Sequence, residues 1–219
     1  MAKFIVIEGL IGVGKTSLCR LVEKAWNARL VLEPCERNPF LSSFYEDPQR
    51  FAFPTQMFYL ASRYMQQLEL GQHHLFDEVI VADYLFAKDR LFAEVTLNQD
   101  EIDLYDRFAG LLKGGVAKPD FVVFLEAPIS IILERIRRRA IGSEQVIQAE
   151  YLEQLKERYY RLWARFDACP IYVLDTSHLN YVDDPNDAEH VLSLIRGWLD
   201  EAPVPNAPRP FQSAQRNLF

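Results

Sequence analysis

The sequence predicts an α/β fold in which a five-stranded parallel sheet carries helices on both of its faces. Short apolar runs rich in β-branched residues alternate with longer segments of helical spacing, which is typical of right-handed strand–helix–strand units. A glycine-rich stretch separates the first apolar run from the first helical segment. We expect one domain over residues 1–200 and a proline-rich tail over residues 201–219, where four prolines fall within eight residues.

The first half of the chain contains three of the predicted strands, each a short apolar run of the kind that is buried in a parallel sheet. The helices between them show leucine, valine and alanine at intervals of three or four residues. In order, we expect a strand at 4–7, a helix at 17–27, a strand at 30–32, loop with short helix at 34–54, a helix at 55–70 and a strand at 79–82.

The second half continues the alternation with two further strands. A long helical stretch opens it, and a polar segment around residues 97–100 indicates a break within that stretch. In order, we expect helix at 88–112, a strand at 121–125, a helix at 130–139, a longer helix at 149–167, a strand at 171–174 and a final helix at 187–199.

Composition excludes several classes of protein. The net charge of −7 argues against a nucleic-acid-binding surface. Three widely spaced cysteines without a Cys-x-x-Cys pair favour neither a disulfide framework nor a zinc site, and they suit a reducing compartment. The amino-terminal run is too short for a signal sequence, and no apolar run reaches membrane-spanning length. We therefore expect a cytoplasmic protein without a membrane or nucleic-acid partner.

The glycine-rich stretch from Gly9 to Thr16 matches the phosphate-loop pattern of Gly, four residues, Gly-Lys and Ser or Thr. Glycines let backbone N–H groups curl around an anion, and the following helix directs its positive dipole end at the same phosphates. The lysine can reach the β- and γ-phosphates of ATP, and the threonine hydroxyl can bind Mg²⁺. The residues predicted to bind the nucleotide are Gly9, Gly12, Gly14, Lys15, Thr16 and Ser17.

A phosphate loop does not by itself identify the reaction, because switches, motors and small-molecule kinases all carry one. The Asn-Lys-x-Asp pattern of guanine-binding switches is absent, and the chain is short for an ATP-driven motor. A kinase is therefore the leading class of function.

Carboxylates follow several of the predicted strands, at the sheet edge where ligands bind in open parallel sheets. Glu33 follows the second strand and is the better candidate for accepting a proton from an acceptor hydroxyl. Asp83 ends the third strand and is the better candidate for a place near Mg²⁺. Glu8 ends the first strand, whereas Glu126 has no motif around it, and a solvated strand end explains Glu126 best.

A cluster of arginines ends the helix predicted at 130–139. Arg135 and Arg139 lie one turn apart on the same helix face, and Gly142 follows closely. Cations at a helix end also complement its dipole, which is the simpler explanation of the cluster. In a chain with a phosphate loop, a movable lid that carries arginines to the transferring phosphoryl group is favoured.

Together these motifs resemble the deoxynucleoside kinases, on the adenylate-kinase-like branch of phosphate-loop folds, over about residues 3–195. Glu33-Pro34 matches the Glu-Pro pair that follows the second strand in that family, and its glutamate is the general base for the sugar 5′-hydroxyl. The resemblance implies ATP and Mg²⁺ as cofactors, a small-molecule deoxynucleoside as partner, and a homodimer joined by helices. It assigns catalytic roles to Glu33, Lys15 and the lid arginines Arg135 and Arg139.

The resemblance also implies a nucleoside pocket. Tyr45 looks like the tyrosine that binds the sugar 3′-hydroxyl, and Gln56, in Phe-Pro-Thr-Gln, would hydrogen-bond the base. Arg63 and Asp89 match residues that line the base pocket in members that accept purines or cytosine. Glu144, in the lid, matches a residue that closes on the 3′-hydroxyl.

Among the aromatic residues near Gln56, only Phe58 is predicted to contact the base, because of its proximity in sequence. The adjacent histidines, His73 and His74, are better explained as a polar surface pair than as metal ligands.

Two positions depart from the family pattern. Tyr84 stands where an arginine that bridges base and phosphates is usual, and a bacterial subgroup has the same Asp-Tyr-Leu-Phe stretch. Lys88 or Arg90 are the cations that could replace that arginine. Ile141 stands where a third lid arginine is usual. Two alternative functions remain open, a nucleoside monophosphate kinase and a nucleotide-binding regulatory protein without catalysis.

Overall fold

The sheet contains five strands, all parallel, in the order β2-β3-β1-β4-β5. A computed structural model describes residues 3–72, 78–112 and 116–200 of the chain, so the histidine pair and the proline-rich tail lie outside the described residues. The strands are β1 (Lys3–Gly9), β2 (Arg29–Val31), β3 (Val79–Ala82), β4 (Phe121–Glu126) and β5 (Ile171–Asp175).

Eight helices pack around the sheet within the described residues. They are α1 (Lys15–Trp26), α2 (Leu41–Glu46), α3 (Pro48–Gln72), α4 (Asp89–Thr96), α5 (Gln99–Leu111), α6 (Ile129–Arg139), α7 (Ala149–Arg165) and α8 (Pro185–Asp200). The predicted break in the fourth helical stretch is confirmed, because Asn98 caps α5 in a reciprocal capping box with Glu101. The predicted α/β fold and its five parallel strands are likewise confirmed.

The register of the strands brings their carboxyl ends to one edge of the sheet. Gly9 of β1 pairs with Leu125 of β4, and Val31 of β2 pairs with Ala82 of β3. The central strands are buried on both faces, as their continuous apolar sequences require. The segments after β2 and β3, which contain Glu33 and Asp83, therefore lie next to the phosphate loop.

Helix α3 differs from the prediction, since it begins at Pro48 rather than after Pro54. Pro48 suits a first helical position, but Pro54 lacks the backbone N–H that the helix would use. The helix continues because its inward face is packed against α2 and α4. That face is buried at helical spacing but contains several polar side chains, which hides the hydrophobic pattern: Ala52, Gln56, Leu60, Arg63, Gln67 and Leu70.

Candidate functional site

The phosphate loop has a backbone that only glycine adopts readily. Gly12 and Gly14 have φ angles of 82° and 114°, both in the left-handed region. A Cβ atom on Gly12 would lie 2.4 Å from Ile136, and one on Gly14 would lie 2.3 Å from the Tyr181 hydroxyl. Helix α1 begins directly after Gly14 without a side-chain cap, so its first N–H groups point into the loop. These features make an anion site of the phosphate-binding kind.

Lys15 directs its ammonium group into the curve of this loop. Its Nζ donates hydrogen bonds to the carbonyl oxygens of Gly9 and Leu10, at 2.9 Å and 3.0 Å. Burial and the nearby charge of Lys88 lower the pKa of Lys15 below its ordinary value. A bound anion in the loop would oppose both effects on the pKa of Lys15, because its negative charge stabilises the charged ammonium group.

Asp83 joins the phosphate loop to the segment after β2. The Thr16 hydroxyl donates to one Asp83 oxygen at 2.6 Å, and the backbone N–H of Glu33 donates to the other at 2.7 Å. Burial raises the pKa of Asp83, and these two hydrogen bonds only partly oppose the shift.

Thr16 and Asp83 present two oxygen ligands side by side, which fits Mg²⁺ bound mainly through phosphates and water. Among the described residues, no group of three or more His, Cys, Asp or Glu side chains is arranged to hold a metal ion. The metal role of Thr16 and Asp83 stays a prediction.

Glu33 lies within a group of cations. Arg63 donates to its Oε1 from Nε at 2.7 Å and from Nη2, and the Lys88 Nζ lies 3.6 Å from its Oε2. Burial alone would raise the pKa of Glu33, but Arg63 and Lys88 outweigh burial and lower it to about 2. The carboxylate is therefore ionised at neutral pH, as a proton acceptor must be.

The lowered pKa of Glu33 predicts how stability changes in acid. A carboxyl whose pKa falls from 4.5 to about 2 on folding stabilises the protein above about pH 4.5, and this contribution is lost as the pH falls toward 2. We expect the free energy of unfolding of the wild type to fall by roughly 2 kcal/mol more than that of Glu33→Gln between about pH 6 and about pH 3. Chemical denaturation at the two pH values measures this difference, and equal acid slopes would contradict the assignment.

Two further charged residues lie at this edge of the sheet and are buried. Glu8 is fully buried and accepts hydrogen bonds from Leu85 N–H at 2.6 Å and from the Tyr159 hydroxyl at 2.8 Å. The Lys88 Nζ lies 3.4 Å from a Glu8 oxygen. Arg90 instead pairs with acids on α4 and α5 and is 40% exposed. Of the two cations that could replace the arginine expected at Tyr84, Lys88 is the one in the site.

A cavity of 120 Å³ extends from Glu33 beneath the lid and lies beside the phosphate loop. Tyr45 lines it, and Arg139 and Glu144 form an ion pair at its edge. Gln56 also lines it, and the Oε1 atom of this buried amide has no hydrogen-bond partner. An unpaired buried acceptor is costly, so the cavity suits a ligand with a donor at this point.

A second cavity, of 540 Å³, lies on the other side of the phosphate loop. Its walls are α6, the phosphate loop and the segment after β5. Both cavities share a boundary where two ligands could meet, and this boundary consists of Gly12, Lys15, Thr16 and Arg139. The arrangement is that of a transfer site between a phosphate donor and a smaller acceptor.

The two lid arginines differ in their contacts. Arg139 lines both cavities, where it can reach a transferring group. The Arg135 guanidinium donates to the carbonyl of Val13 at 2.9 Å and to that of Thr176 at 2.6 Å. Arg135 thus connects the phosphate loop to the segment after β5, and its predicted role toward phosphate stays a prediction.

Two residues predicted to bind substrate lie apart from the smaller cavity. Phe58 is not among its lining residues and packs edge-on against Tyr59. Asp89 lies behind Arg63 and forms an ion pair with it. Tyr59 and Phe92, which line the cavity, were not predicted, because their spacing is that of ordinary core residues.

The largest cavity described, of 790 Å³, lies on the far side of the Arg63–Asp89 pair. Its walls come mainly from α5, the segment after β3 and the segment before β4, and they are mostly apolar. It contains no residue of the phosphate loop, so we place the chemistry at the two smaller cavities.

No described helix combines the length and the apolar character needed to cross a membrane.

Known kinases resemble this chain in sequence, and a solved structure resembles it in fold. The deoxyguanosine kinase of Bacillus subtilis (strain 168) is 35% identical over 200 residues, which cover 89% of this chain and 97% of that protein. The deoxyadenosine/deoxycytidine kinase of the same organism is 30% identical, covering 87% of this chain and 90% of that protein. The structure of deoxyadenosine kinase from M. mycoides with bound dATP has a TM-score of 0.77 and 23% identity, covering 90% of this chain and 100% of that one.

The family described as deoxynucleoside kinase matches residues 5–200, which is nearly all of the described chain. The match includes the phosphate loop, the segment after β2 and the lid. The chain belongs to the deoxynucleoside kinase family.

Proposed function

We propose that the protein transfers the γ-phosphoryl group of ATP to the 5′-hydroxyl of a deoxynucleoside, and that it prefers a purine or cytosine base. The observation that carries the proposal is the position of Glu33. Its ionised carboxylate lines the smaller cavity together with Lys15, Thr16 and Asp83. A nucleoside in this cavity would have its hydroxyl between the carboxylate and the donor phosphates, as phosphoryl transfer requires.

Each group in the site has a role in this reaction. Lys15 and the first N–H groups of α1 bind the donor phosphates, and Thr16 with Asp83 would hold Mg²⁺. When bound, Mg²⁺ neutralises charge on the donor phosphates. Glu33 accepts the proton of the attacking hydroxyl. Arg139 offsets charge on the transferring phosphoryl group, and its ion pair with Glu144 keeps the lid over the acceptor.

The base preference rests on buried polar groups at the closed end of the smaller cavity. Arg63 is held between Glu33 and Asp89, which fixes the direction of its guanidinium group. Gln56 offers an unpaired carbonyl oxygen to a donor on the base. The relatives that act on deoxyguanosine, deoxyadenosine or deoxycytidine support this preference.

A screen of all natural nucleosides with ATP, read out as ADP release, tests the proposal. Nucleoside monophosphates run in parallel separate it from a monophosphate kinase. We expect release with deoxyadenosine, deoxyguanosine or deoxycytidine and none above background with the monophosphates. Tight ATP binding without release for any nucleoside would instead favour a regulatory protein without catalysis.

Gln56→Leu should weaken nucleoside binding selectively. The substitution removes the amide that faces the cavity and keeps its size, so a hydrogen bond to the base is lost. We expect the KM for the preferred deoxynucleoside to rise by about 10- to 100-fold, with the KM for ATP within about threefold of the wild type. Steady-state kinetics with each substrate varied in turn measures both, and equal changes in the two constants would contradict the assignment.

We also propose a homodimer that forms through α3 and α5. Two neighbouring stripes of these helices expose large apolar side chains at helical spacing, and a second copy would bury both stripes. Phe108 is 44% exposed and Leu111 is 80% exposed, and the other members of the surface are Met65, Leu68 and Leu104.

Leu111→Glu should convert this dimer into a monomer. A carboxylate within an apolar contact would be buried without a partner, which opposes association. Sedimentation velocity measures the change in mass. Val182→Glu is the matched control, since Val182 is 66% exposed but lies away from both stripes, and it should leave the mass unchanged. If the wild type itself sediments as a monomer, the proposed homodimer is wrong.

The cytoplasm is the proposed location. Cys19 and Cys35 are both free thiols, which is the state that a reducing compartment maintains.

A further inference from the structure

Lys88 is a charged side chain in an interior position. It ends the short 3-10 turn Phe86–Lys88 that follows β3, and only 2% of its surface is exposed. An ammonium group without a counter-ion would be strongly destabilised there. Burial alone would lower the pKa of Lys88, but Glu33 and Glu8 raise it above its ordinary value, so the group is a permanent cation.

The Lys88 ammonium lies between two carboxylates. Its Nζ is 3.4 Å from Glu8 Oε1 and 3.6 Å from Glu33 Oε2. Both distances exceed the range of about 2.7–3.2 Å for tight hydrogen bonds, so the attraction is mainly between charges. The same ammonium lines the smaller cavity beside Lys15.

The two oxygens of Glu33 have different surroundings. Oε1 is held by Arg63, which donates to it from Nε at 2.7 Å and from Nη2. Oε2 has only longer contacts, with the Lys88 Nζ and with the Cys35 thiol at 3.6 Å. Oε2 is therefore the oxygen that remains available to a substrate hydroxyl.

Glu8 differs from Glu33 because hydrogen bonds to protein groups satisfy it. It accepts from Leu85 N–H at 2.6 Å, from Gly9 N–H at 3.0 Å and from the Tyr159 hydroxyl at 2.8 Å. Glu8 is fully buried and lies outside the lining of the smaller cavity. Glu8 is thus fixed beside Lys88 by the protein alone, whereas Glu33 Oε2 faces the cavity.

We propose that Lys88 is a positioning residue for phosphoryl transfer, which keeps Glu33 Oε2 directed at the acceptor hydroxyl and uses Glu8 as its second counter-ion. The inference rests on the proposed function. In the transfer step, the hydroxyl oxygen forms a bond to the γ-phosphorus, and the bond from that phosphorus to ADP breaks with its electron pair on ADP. The hydroxyl proton moves to Glu33 Oε2. Lys88 exchanges no proton, and Glu8 keeps it paired after Glu33 is neutralised.

Lys88→Met tests the proposal by kinetics, because methionine keeps the length of the side chain and removes the charge. We expect kcat to fall by roughly 10²-fold, as for a misdirected catalytic group, with the nucleoside dissociation constant within about threefold of the wild type. Lys88→Arg should recover most of the loss. Arg90→Met, two residues away and solvent-facing, is the matched control and should keep wild-type kcat. A kcat for Lys88→Met within threefold of the wild type, or an equal loss of affinity, would overturn the proposal.

The titration midpoint of Glu33 is a second measurement, and it does not depend on enzyme activity. The charged and titratable groups around Glu33 are Arg63, Lys88, Lys15, Asp83, Cys35, Tyr59, Tyr84 and Tyr159. With glutamate labelled by ¹³C at the carboxyl carbon, the resonance that Glu33→Gln removes can be followed from about pH 6 down to about pH 1, a range that includes the wild-type midpoint at about 2. Loss of the neighbouring cation should raise its midpoint by about one pH unit or more in Lys88→Met. Equal midpoints would overturn the proposal.

The kinetics and the Glu33 titration distinguish a failure of the proposed role of Lys88 from a failure of the proposed kinase function. A wild type without kinase activity whose Glu33 midpoint still rises in Lys88→Met would reject the function and keep the electrostatic role of Lys88. An active wild type matched by Lys88→Met in kcat would reject the role of Lys88 alone. If Lys88→Met does not fold, Lys88→Gln carries the same predictions, since it also removes the charge, while its amide keeps a hydrogen-bond donor in the interior.

Discussion

Replacing Glu33 by glutamine is expected to lower kcat by roughly 10³-fold while the deoxynucleoside still binds. Glutamine keeps the shape of the side chain but cannot accept the proton of the attacking hydroxyl. It also removes the negative charge that Arg63 and Lys88 share, so part of the loss will come from the rearrangement of these cations. Single-turnover kinetics with saturating nucleoside measures the chemical step separately from binding.

Glu126→Gln is the matched control for this substitution. Glu126 ends β4 at the same edge of the sheet, but its carboxylate accepts a hydrogen bond from Tyr160 at 2.8 Å and lines neither of the two site cavities. We expect Glu126→Gln to keep wild-type kcat. Turnover of Glu33→Gln at the wild-type rate, with unchanged nucleoside affinity, would show that Glu33 is not the base.

Replacing Lys15 by methionine should give the second large loss, of roughly 10³-fold in kcat/KM for ATP. The ammonium lies where both cavities meet, and its burial makes its interaction with phosphate strong. Its present partners are carbonyl oxygens of the loop, which it would exchange for phosphate oxygens. Because methionine is uncharged, the loss should appear in the transfer step as well as in ATP affinity.

Lys24→Met serves as the control for Lys15→Met, since Lys24 lies in the last turn of the same helix and is exposed. It should behave as the wild type. Nucleoside affinity measured without ATP should be unchanged in both variants. If the kcat/KM for ATP of Lys15→Met is close to that of the wild type, the phosphate loop does not take part in the reaction.

The features that could be predicted from the sequence are those carried by short, continuous patterns. The run from Phe4 to Ile7 and the spacing of Gly9, Gly14 and Lys15 specify a buried strand and a phosphate loop without reference to the rest of the chain. The positions of Glu33 and Asp83 followed from the rule that parallel strands end at one edge.

The features that could not be predicted depend on contacts between distant segments. A lysine usually indicates a solvated surface, so the burial of Lys88 between Glu8 and Glu33 has no local signal. Pro54 lies inside α3, which made the first turns of this helix look like a loop. Arg135 and Arg139 share a helix face in sequence, yet their partners differ, because Thr176 comes from the segment after β5.

The position of the phosphate on the product tests the proposed transfer to the 5′-hydroxyl most directly. Each of the four 2′-deoxynucleosides is incubated with ATP and Mg²⁺, and the product is analysed by two-dimensional ¹H–³¹P NMR. We expect the phosphorus to couple to the 5′ protons of deoxyadenosine, deoxyguanosine or deoxycytidine, and we expect Glu33→Gln to yield no such product in the same time. Absence of a phosphorylated product with all four nucleosides, or a phosphorus coupled to the 3′ proton, would contradict the proposed transfer to the 5′-hydroxyl.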